Sequence, residues 1–152
     1  MKPCVTDKDN LLNIEDQLCF ALYSTSRAIT KEYAILLDTM DITYPQYLTM
    51  MVLWKKDGIL IKDIARSLEV DQATITPLVK RLEKQELVTR QRSNEDERKV
   101  QVFLTEKGKD MYKTALVVPH GLGCAIGVED QARAQRLIAE MNEIKQFIRQ
   151  KK

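Results

Sequence analysis

The segment from residue 58 to residue 105 constrains the fold most tightly. After Gly58, one short helical pattern covers residues 61–68, and Glu69-Val70-Asp71 breaks it. A second follows at once, reading DQATITPLVKRLEKQ. Then come two strand-like runs, ELVTRQR and KVQVFLT, separated by the polar, turn-rich SNEDER. Helix, turn, helix and hairpin in so short a span leave few architectures open. The second helix has two candidate caps, Asp71 and Thr74. Pro77 favours the later start, because proline in a helix body deletes a hydrogen bond.

This order describes a winged helix-turn-helix, a mainly α fold with a small β-hairpin wing. In such a module the second helix enters the DNA major groove. Its N-terminal half offers Gln72, Thr74 and Thr76, small polar groups suited to base edges and phosphates. Lys80, Arg81 and Lys84 follow, then Arg90 and Arg92 on the next strand. From Gln72 to Arg92, five basic residues stand against two acids, Glu83 and Glu86, in a chain whose formal net charge is only +2. The basic balance is therefore concentrated where phosphates would lie. A solvated helix with ion pairs from Lys80 and Lys84 to Glu83 is the competing reading, and the adjoining hairpin argues against it. At the wing tip, Arg98 and Lys99 would meet the minor groove or a flanking phosphate. Asp96 would either orient the Arg98 guanidinium or form a surface ion pair that shapes the turn.

Helical patterns flank this module on both sides. Residues 10–40 contain neither Gly nor Pro, and Leu11, Ile14, Leu18, Leu22, Ile29, Tyr33 and Leu36 recur near helical spacing. Cys19 falls inside this pattern, where a thiol often serves as a small buried hydrophobe. Thr43 and Gln46 fit a capping box for a second helix, with Pro45 tolerated in its first turn and Asp57-Gly58 as its stop. Thr105 caps a further helix to about residue 118, and PHGLG interrupts the pattern. The last helix, residues 129–152, carries Leu137, Met141, Ile144 and Ile148 at heptad-like steps. That seam is expected to pack on a second copy; packing on its own domain is the alternative. The expected division is a sensor and dimerisation helix over 1–42, the DNA-binding module over 43–110, and C-terminal dimerisation helices over 111–152.

Several classes are excluded. With 44% hydrophobic and 30% charged residues among 152, the chain has an ordinary globular balance. No apolar run approaches the roughly 18 residues that span a bilayer. MKPCVTDKDN lacks the apolar stretch of a signal peptide, so a cytoplasmic protein with no membrane attachment is expected. Cys4, Cys19 and Cys124 are odd in number and far apart, unlike a disulfide framework or a zinc site. No metal or other cofactor is expected, and the lone His120 leaves little room for histidine-based triads.

LIKDIARSLEVDQATITPLVKRLEKQELVTRQRSNEDERKVQVFLTEKG resembles the MarR family of winged-helix repressors, with Asp96, Arg98, Leu104 and Thr105 matching its wing motif. The resemblance implies a homodimer, held by its N- and C-terminal helices, on operator double-stranded DNA. QLCFALYSTSRAITKEYAILLDTMDITYPQYLTMMVLW resembles the organic hydroperoxide resistance (OhrR) branch. On that resemblance Cys19 matches the peroxidatic cysteine, and Tyr33 and Tyr44 the two tyrosines that hydrogen-bond its sulfur. Tyr23 matches a further tyrosine near the pocket, and Cys124 the second cysteine of a two-cysteine subgroup. Cys4 has no counterpart. The implied function is a repressor, not an enzyme. Organic hydroperoxide oxidises Cys19, the partner's Cys124 forms a disulfide with it, and the operator is released.

Helix geometry bears on this independently. Cys19 and Tyr33 are 14 positions apart, which is about 21 Å of rise on an unbroken helix. They share a face but cannot touch, so a Tyr33 that meets Cys19 comes from a second chain. Tyr23, four residues on, can be an intrachain neighbour. The thiolate is the reacting form, and phenol O–H groups that bond to it favour it. Phe20, Leu22, Met51 and Trp54 are candidate apolar walls for greasy peroxides, with core packing as the competing reading. A sulfenic acid formed on Cys19 can be trapped by a second thiol, and a Gly-rich break before Cys124 would give it freedom to travel. Two alternatives stay open: gating by a non-covalent phenolic ligand, and a thiol peroxidase. The peroxidase needs a reductant site, and the chain has no C-x-x-C pair.

Overall fold

The computed structural model describes residues 12–92 and 99–151. Cys4, Asp96, Arg98 and the start of the first helical pattern lie outside the described residues. A single 3-10 turn, Ile14–Asp16, precedes α1, Leu18–Leu37. Between them Gln17 is extended, at φ −87 and ψ 116. The helix expected from residue 10 is thus interrupted, and Cys19 is the second residue of α1 rather than a mid-helix residue. The cause is local polar chemistry. Asn13 Nδ2 donates to Asp16 Oδ2 at 2.8 Å, and its Oδ1 accepts from the Glu15 N–H. Such bonds compete with the helical ladder.

A 3-10 turn, Asp38–Met40, and Asp41 at φ 52 close α1. In α2, Tyr44–Lys55, Gln46 Oε1 accepts from the Thr43 N–H at 2.9 Å, the return bond of the capping box. Gln46 also donates to Gln85 Oε1 at 3.0 Å, tying the start of α2 to the end of α4. The middle of the chain runs β1 (Ile59–Leu60), α3 (Ile61–Ser67), α4 (Gln72–Lys84), β2 (Val88–Arg92) and β3 (Val100–Leu104). The sheet is antiparallel in the order β1-β3-β2. It therefore has one strand more than the expected hairpin. Asp57 makes β1: its Oδ1 accepts from the N–H of Gly58 and from that of Leu104, each at 2.8 Å. Gly58 sits at φ +65 beside the Phe103 ring, where a Cβ would lie 2.6 Å from Cε1.

The helix-turn-helix turn is a Schellman motif. Val70 N–H bonds to the Ala65 carbonyl at 3.1 Å, and Glu69 takes the left-handed position at φ 57. α4 then starts at Gln72 with Asp71 as its cap, the earlier of the two sites, and holds Pro77 inside. The lost bond, to the Ala73 carbonyl, is outweighed by the continuous apolar face of Ile75, Val79 and Leu82, all at most 1% exposed. Together with Met50, Leu53, Ile64 and Val102 these residues form the core of the module.

α5, Glu106–Ala115, is capped by Thr105, whose Oγ1 accepts from the Gly108 N–H at 3.0 Å. It runs through position 110, so the DNA-reading and C-terminal parts share one helix. PHGLG is not a break. It lies within α6, Val118–Ala125, with Pro119 in the first turn. Gly121 faces α1, where a Cβ would sit 3.0 Å from Leu36 Cδ2. The glycine serves close helix approach, so Cys124 rides on a packed helix and not on a loose segment. α7, Gln131–Arg149, has no buried residue. Along its seam Leu137 is 43% and Ile148 56% exposed, and on α1 Leu18 is 59% exposed. No helix among the described residues is long and apolar enough to cross a membrane.

Candidate DNA interface and thiol site

The buried stripe of α4 turns its opposite face outward. Gln72, Thr74, Lys80 and Arg81 are exposed there, and so is Arg92 at the end of β2. Thr76 Oγ1 donates back to the Gln72 carbonyl at 3.0 Å, so its hydroxyl is left as an acceptor. A groove of about 220 Å³ between this helix start and the wing is lined by Gln72, Thr76, Arg90 and Lys99. Lys62, near the start of α3, joins them. Sequence reasoning missed Lys62 because it lies outside the α4–wing stretch over which charge was counted.

Glu83 does not pair with Lys80 or Lys84. Arg90 on β2 clasps it instead: Nε to Oε2 is 2.8 Å, Nη2 to Oε2 is 2.6 Å, and the Arg90 backbone N–H donates to Oε1 at 3.0 Å. The hydrogen bonds from Arg90 hold the Glu83 carboxyl below the usual carboxylate range, with burial opposing. One charge of each sign is removed, so the local positive excess stands, but Arg90 is committed to the wing–helix junction. The C-terminal end of α7 reaches the module as well, where Arg149 and Lys145 approach Glu69 at 2.9 and 3.5 Å.

The thiol residues divide between the two ends of α1. Cys19, at the N-terminal end, is exposed and free. At the other end Tyr33 stacks on Tyr44, with centroids 4.1 Å apart, and Tyr47 lies 5.9 Å from Tyr33. Burial, helped by Tyr44 and Tyr47, pushes the Tyr33 phenol up to about 12, and burial raises Tyr44 and Tyr47 too. All three remain O–H donors at physiological pH. None has a hydrogen-bond partner among the described residues. Tyr47, three residues from Tyr44, was absent from the sequence expectation, although its helical spacing placed it beside the pair. Tyr23 accepts a bond from Arg27 Nη1 at 3.1 Å and lies one turn from Cys19.

Cys124 belongs to the Tyr33 end. Its helix is pinned by Gly121 against Leu36, and Leu36 is 17 positions from Cys19, about 25 Å of helix rise. Cys124 Sγ lies 3.9 Å from His120 Nδ1, one turn earlier on α6. Within one chain, therefore, α6 with its Cys124 packs at the Tyr33 end of α1, far from Cys19 at its start. Phe20, Leu22 and Met51 are 39%, 38% and 45% exposed, so core packing does not claim them within one chain. Trp54 is half-buried and donates to the Gly108 carbonyl at 2.9 Å. A cavity of about 470 Å³ opens between α2, α5 and α6, lined by Tyr47, Met51, Trp54, Tyr112 and Leu116. No cluster of metal-ligating side chains occurs among the described residues.

The chain is similar to known proteins. A family model described as Transcriptional regulator SarA/Rot matches residues 31–114. The chain is 43% identical over 126 residues to the organic hydroperoxide resistance transcriptional regulator of Bacillus subtilis (strain 168), which covers 83% of this chain and 84% of that protein. Among solved structures, reduced AbfR bound to DNA superposes with a TM-score of 0.75 at 28% identity, over 93% of this chain and 97% of that one. The disulfide-formed AbfR superposes less well, with a TM-score of 0.62 at 28% identity over 94% of each chain. AbfR comes from Staphylococcus epidermidis.

Proposed function

The chain belongs to the MarR family of winged-helix transcriptional regulators, on its organic hydroperoxide resistance branch, and on that premise we propose a homodimeric repressor switched by oxidation of Cys19. Reduced, it binds operator DNA in the cytoplasm. Gln72, Thr74 and Thr76 read base edges. Lys80, Arg81, Arg92 and the wing residues Arg98 and Lys99 bind phosphates and the minor groove, with Asp96 orienting Arg98. An organic hydroperoxide oxidises Cys19 to a sulfenic acid. The partner's Cys124 condenses with it, and the lobes leave their DNA spacing. The protein is a regulator rather than an enzyme, and external thiols reset it.

One observation carries this reading. Tyr33, Tyr44 and Cys124 gather at the C-terminal end of α1, while Cys19 sits at the N-terminal end. Two copies crossing along α1 bring the Cys19 of each to the tyrosines and second thiol of the other. The exposed apolar residues on α1 and α7 supply the surface for that crossing. The better superposition on DNA-bound AbfR than on its disulfide form supports taking the present arrangement as the DNA-competent one. The test is operator binding with and without cumene hydroperoxide for the wild type, Cys19→Ser and Cys124→Ser, with non-reducing gels in parallel. Release from Cys19→Ser as readily as from the wild type sinks the thiol switch. Unchanged reversibility and gel mobility in Cys124→Ser sink the disulfide.

The aromatic cavity between α2 and α5 favours a second reading, in which a phenolic ligand gates the repressor without touching the thiols. Release of Cys19→Ser from DNA by a phenol alone would select it.

A further inference from the structure

The side chain one turn before Cys124 has no part in the scheme above. α6 is two-sided. Val118 is 2% exposed, and Gly121, on the same side, meets Leu36 of α1. His120 and Cys124 share the other, exposed side. The i, i+4 relation brings Sγ to 3.9 Å from Nδ1. We propose that His120 is the proton acceptor that makes Cys124 the nucleophile in disulfide formation, an inference that rests on the two-cysteine reading above.

The thiolate, not the thiol, attacks sulfur, and imidazole is the side chain that exchanges protons near neutral pH. Organic hydroperoxide first converts the Cys19 thiol to a sulfenic acid and is itself reduced to the alcohol. Nδ1 then takes the proton from Cys124 Sγ. The sulfur lone pair attacks the sulfur of the partner's Cys19, the S–S bond forms, and the S–O bond breaks. The departing hydroxide takes the proton back from the imidazolium and leaves as water. His120 is restored, and the net change is sulfenic acid plus thiol to disulfide plus water.

The test has two arms. In the first, Cys124 of a Cys4→Ser/Cys19→Ser protein is alkylated with iodoacetamide, with His120 intact or as His120→Gln. In the second, the full chain is treated with cumene hydroperoxide, and bridge formation is followed by non-reducing gel while the Cys19 sulfenic acid is trapped with dimedone. Circular dichroism checks that helicity is kept. The expected result is alkylation slowed about tenfold or more in His120→Gln. Bridging slows in parallel, and dimedone-trapped Cys19 accumulates at an unchanged initial rate. Free imidazole restores bridging in His120→Ala, a rescue that a structural role would not allow. Alkylation and bridging at the wild-type rate in His120→Gln overturn the inference and leave the disulfide mechanism standing. Absence of the bridge in the wild type overturns both.

Discussion

Gly108→Ala separates packing from propensity by the sign of its effect. Gly108 lies inside α5, and intrinsic helix preference alone says that alanine there should stabilise by about 1 kcal/mol. The structure says the opposite. A Cβ on Gly108 would lie 2.0 Å from the Leu87 carbonyl oxygen and 3.1 Å from its carbon, both backbone atoms that no rotamer change can move aside. That oxygen also accepts from the Thr105 N–H at 3.1 Å, the bond that seats α5 on the end of α4. Relieving the overlap costs about 1–3 kcal/mol as overpacking, and the lost hydrogen bond adds about 1 kcal/mol. Against the propensity gain, a net loss of about 1–3 kcal/mol is expected. For a domain of this size that lowers Tm by roughly 2–4 °C per kcal/mol. Thermal or urea unfolding followed by circular dichroism measures it, at matched protein concentration because a dimer's Tm depends on concentration. Gly121→Ala is the control. Its Cβ meets only the end of the Leu36 side chain, at 3.0 Å, which can yield, so that variant should be neutral or slightly stabilised. A Gly108→Ala protein as stable as the wild type would refute the reasoning.

Three further outcomes are expected. Arg92→Ala should weaken DNA binding evenly across sequences and flatten the salt dependence by about one unit of slope, while Gln72→Ala should relax base preference at one position by about 1–3 kcal/mol; binding titrations at several salt concentrations tell them apart. Spectrophotometric titration should show a tyrosine that stays protonated beyond the others and is absent from Tyr33→Phe. Because the Tyr33 phenol is raised from 10.0 to about 12, the stability it confers is complete below pH 10.0 and lost as pH rises through about 12. Glu83 shifts the other way, so its contribution is present above its ordinary value of 4.5 and fades as pH falls through the lower folded value. With its side chain 33% exposed, that contribution should stay within about 1 kcal/mol. Urea unfolding at pH 6 and pH 3 should show a steeper loss in the wild type than in Glu83→Gln.

What the sequence made legible was local. The Thr43–Gln46 box and the Thr105 cap depend on residues three apart, and both appear where their spacing placed them. β1 escaped because two residues carry no periodicity. It exists through Asp57 reaching Leu104 across 47 positions. The start of α4 was misjudged for a related reason. The proline rule is local, while the burial of Ile75, Val79 and Leu82 that overrides it is tertiary. PHGLG reads as a breaker by composition, yet Gly121 is there for the approach of Leu36, a neighbour no composition reveals. The proposed thiol site was legible only in halves, since Cys19 lies at one end of α1 and the stacked Tyr33 and Tyr44 at the other. The geometric hint was the length of helix between Cys19 and Tyr33.

That same helix explains how a bond at the thiol could reach the DNA. A disulfide requires Cα atoms within about 4.4–6.8 Å, so a proposed bridge that closes from a longer separation moves either the start of α1 or α6. α6 packs against α1 where Gly121 meets Leu36, so a displacement of one helix bears on the other. The displacement therefore passes to the C-terminal end of α1, where Asp41 turns the chain into α2. Gln46, in the first turn of α2, holds Gln85, and Gln85 in turn donates to the Asp41 carbonyl. Gln85 caps the C-terminal end of α4, the helix that carries the proposed DNA-reading residues. The one non-helical link, residues 41–43, is short and is bridged by the Gln46–Gln85 and Gln85–Asp41 hydrogen bonds. α6 looked from sequence like a flexible break; as a packed helix it is the element through which the proposed bond at Cys124 would act at a distance.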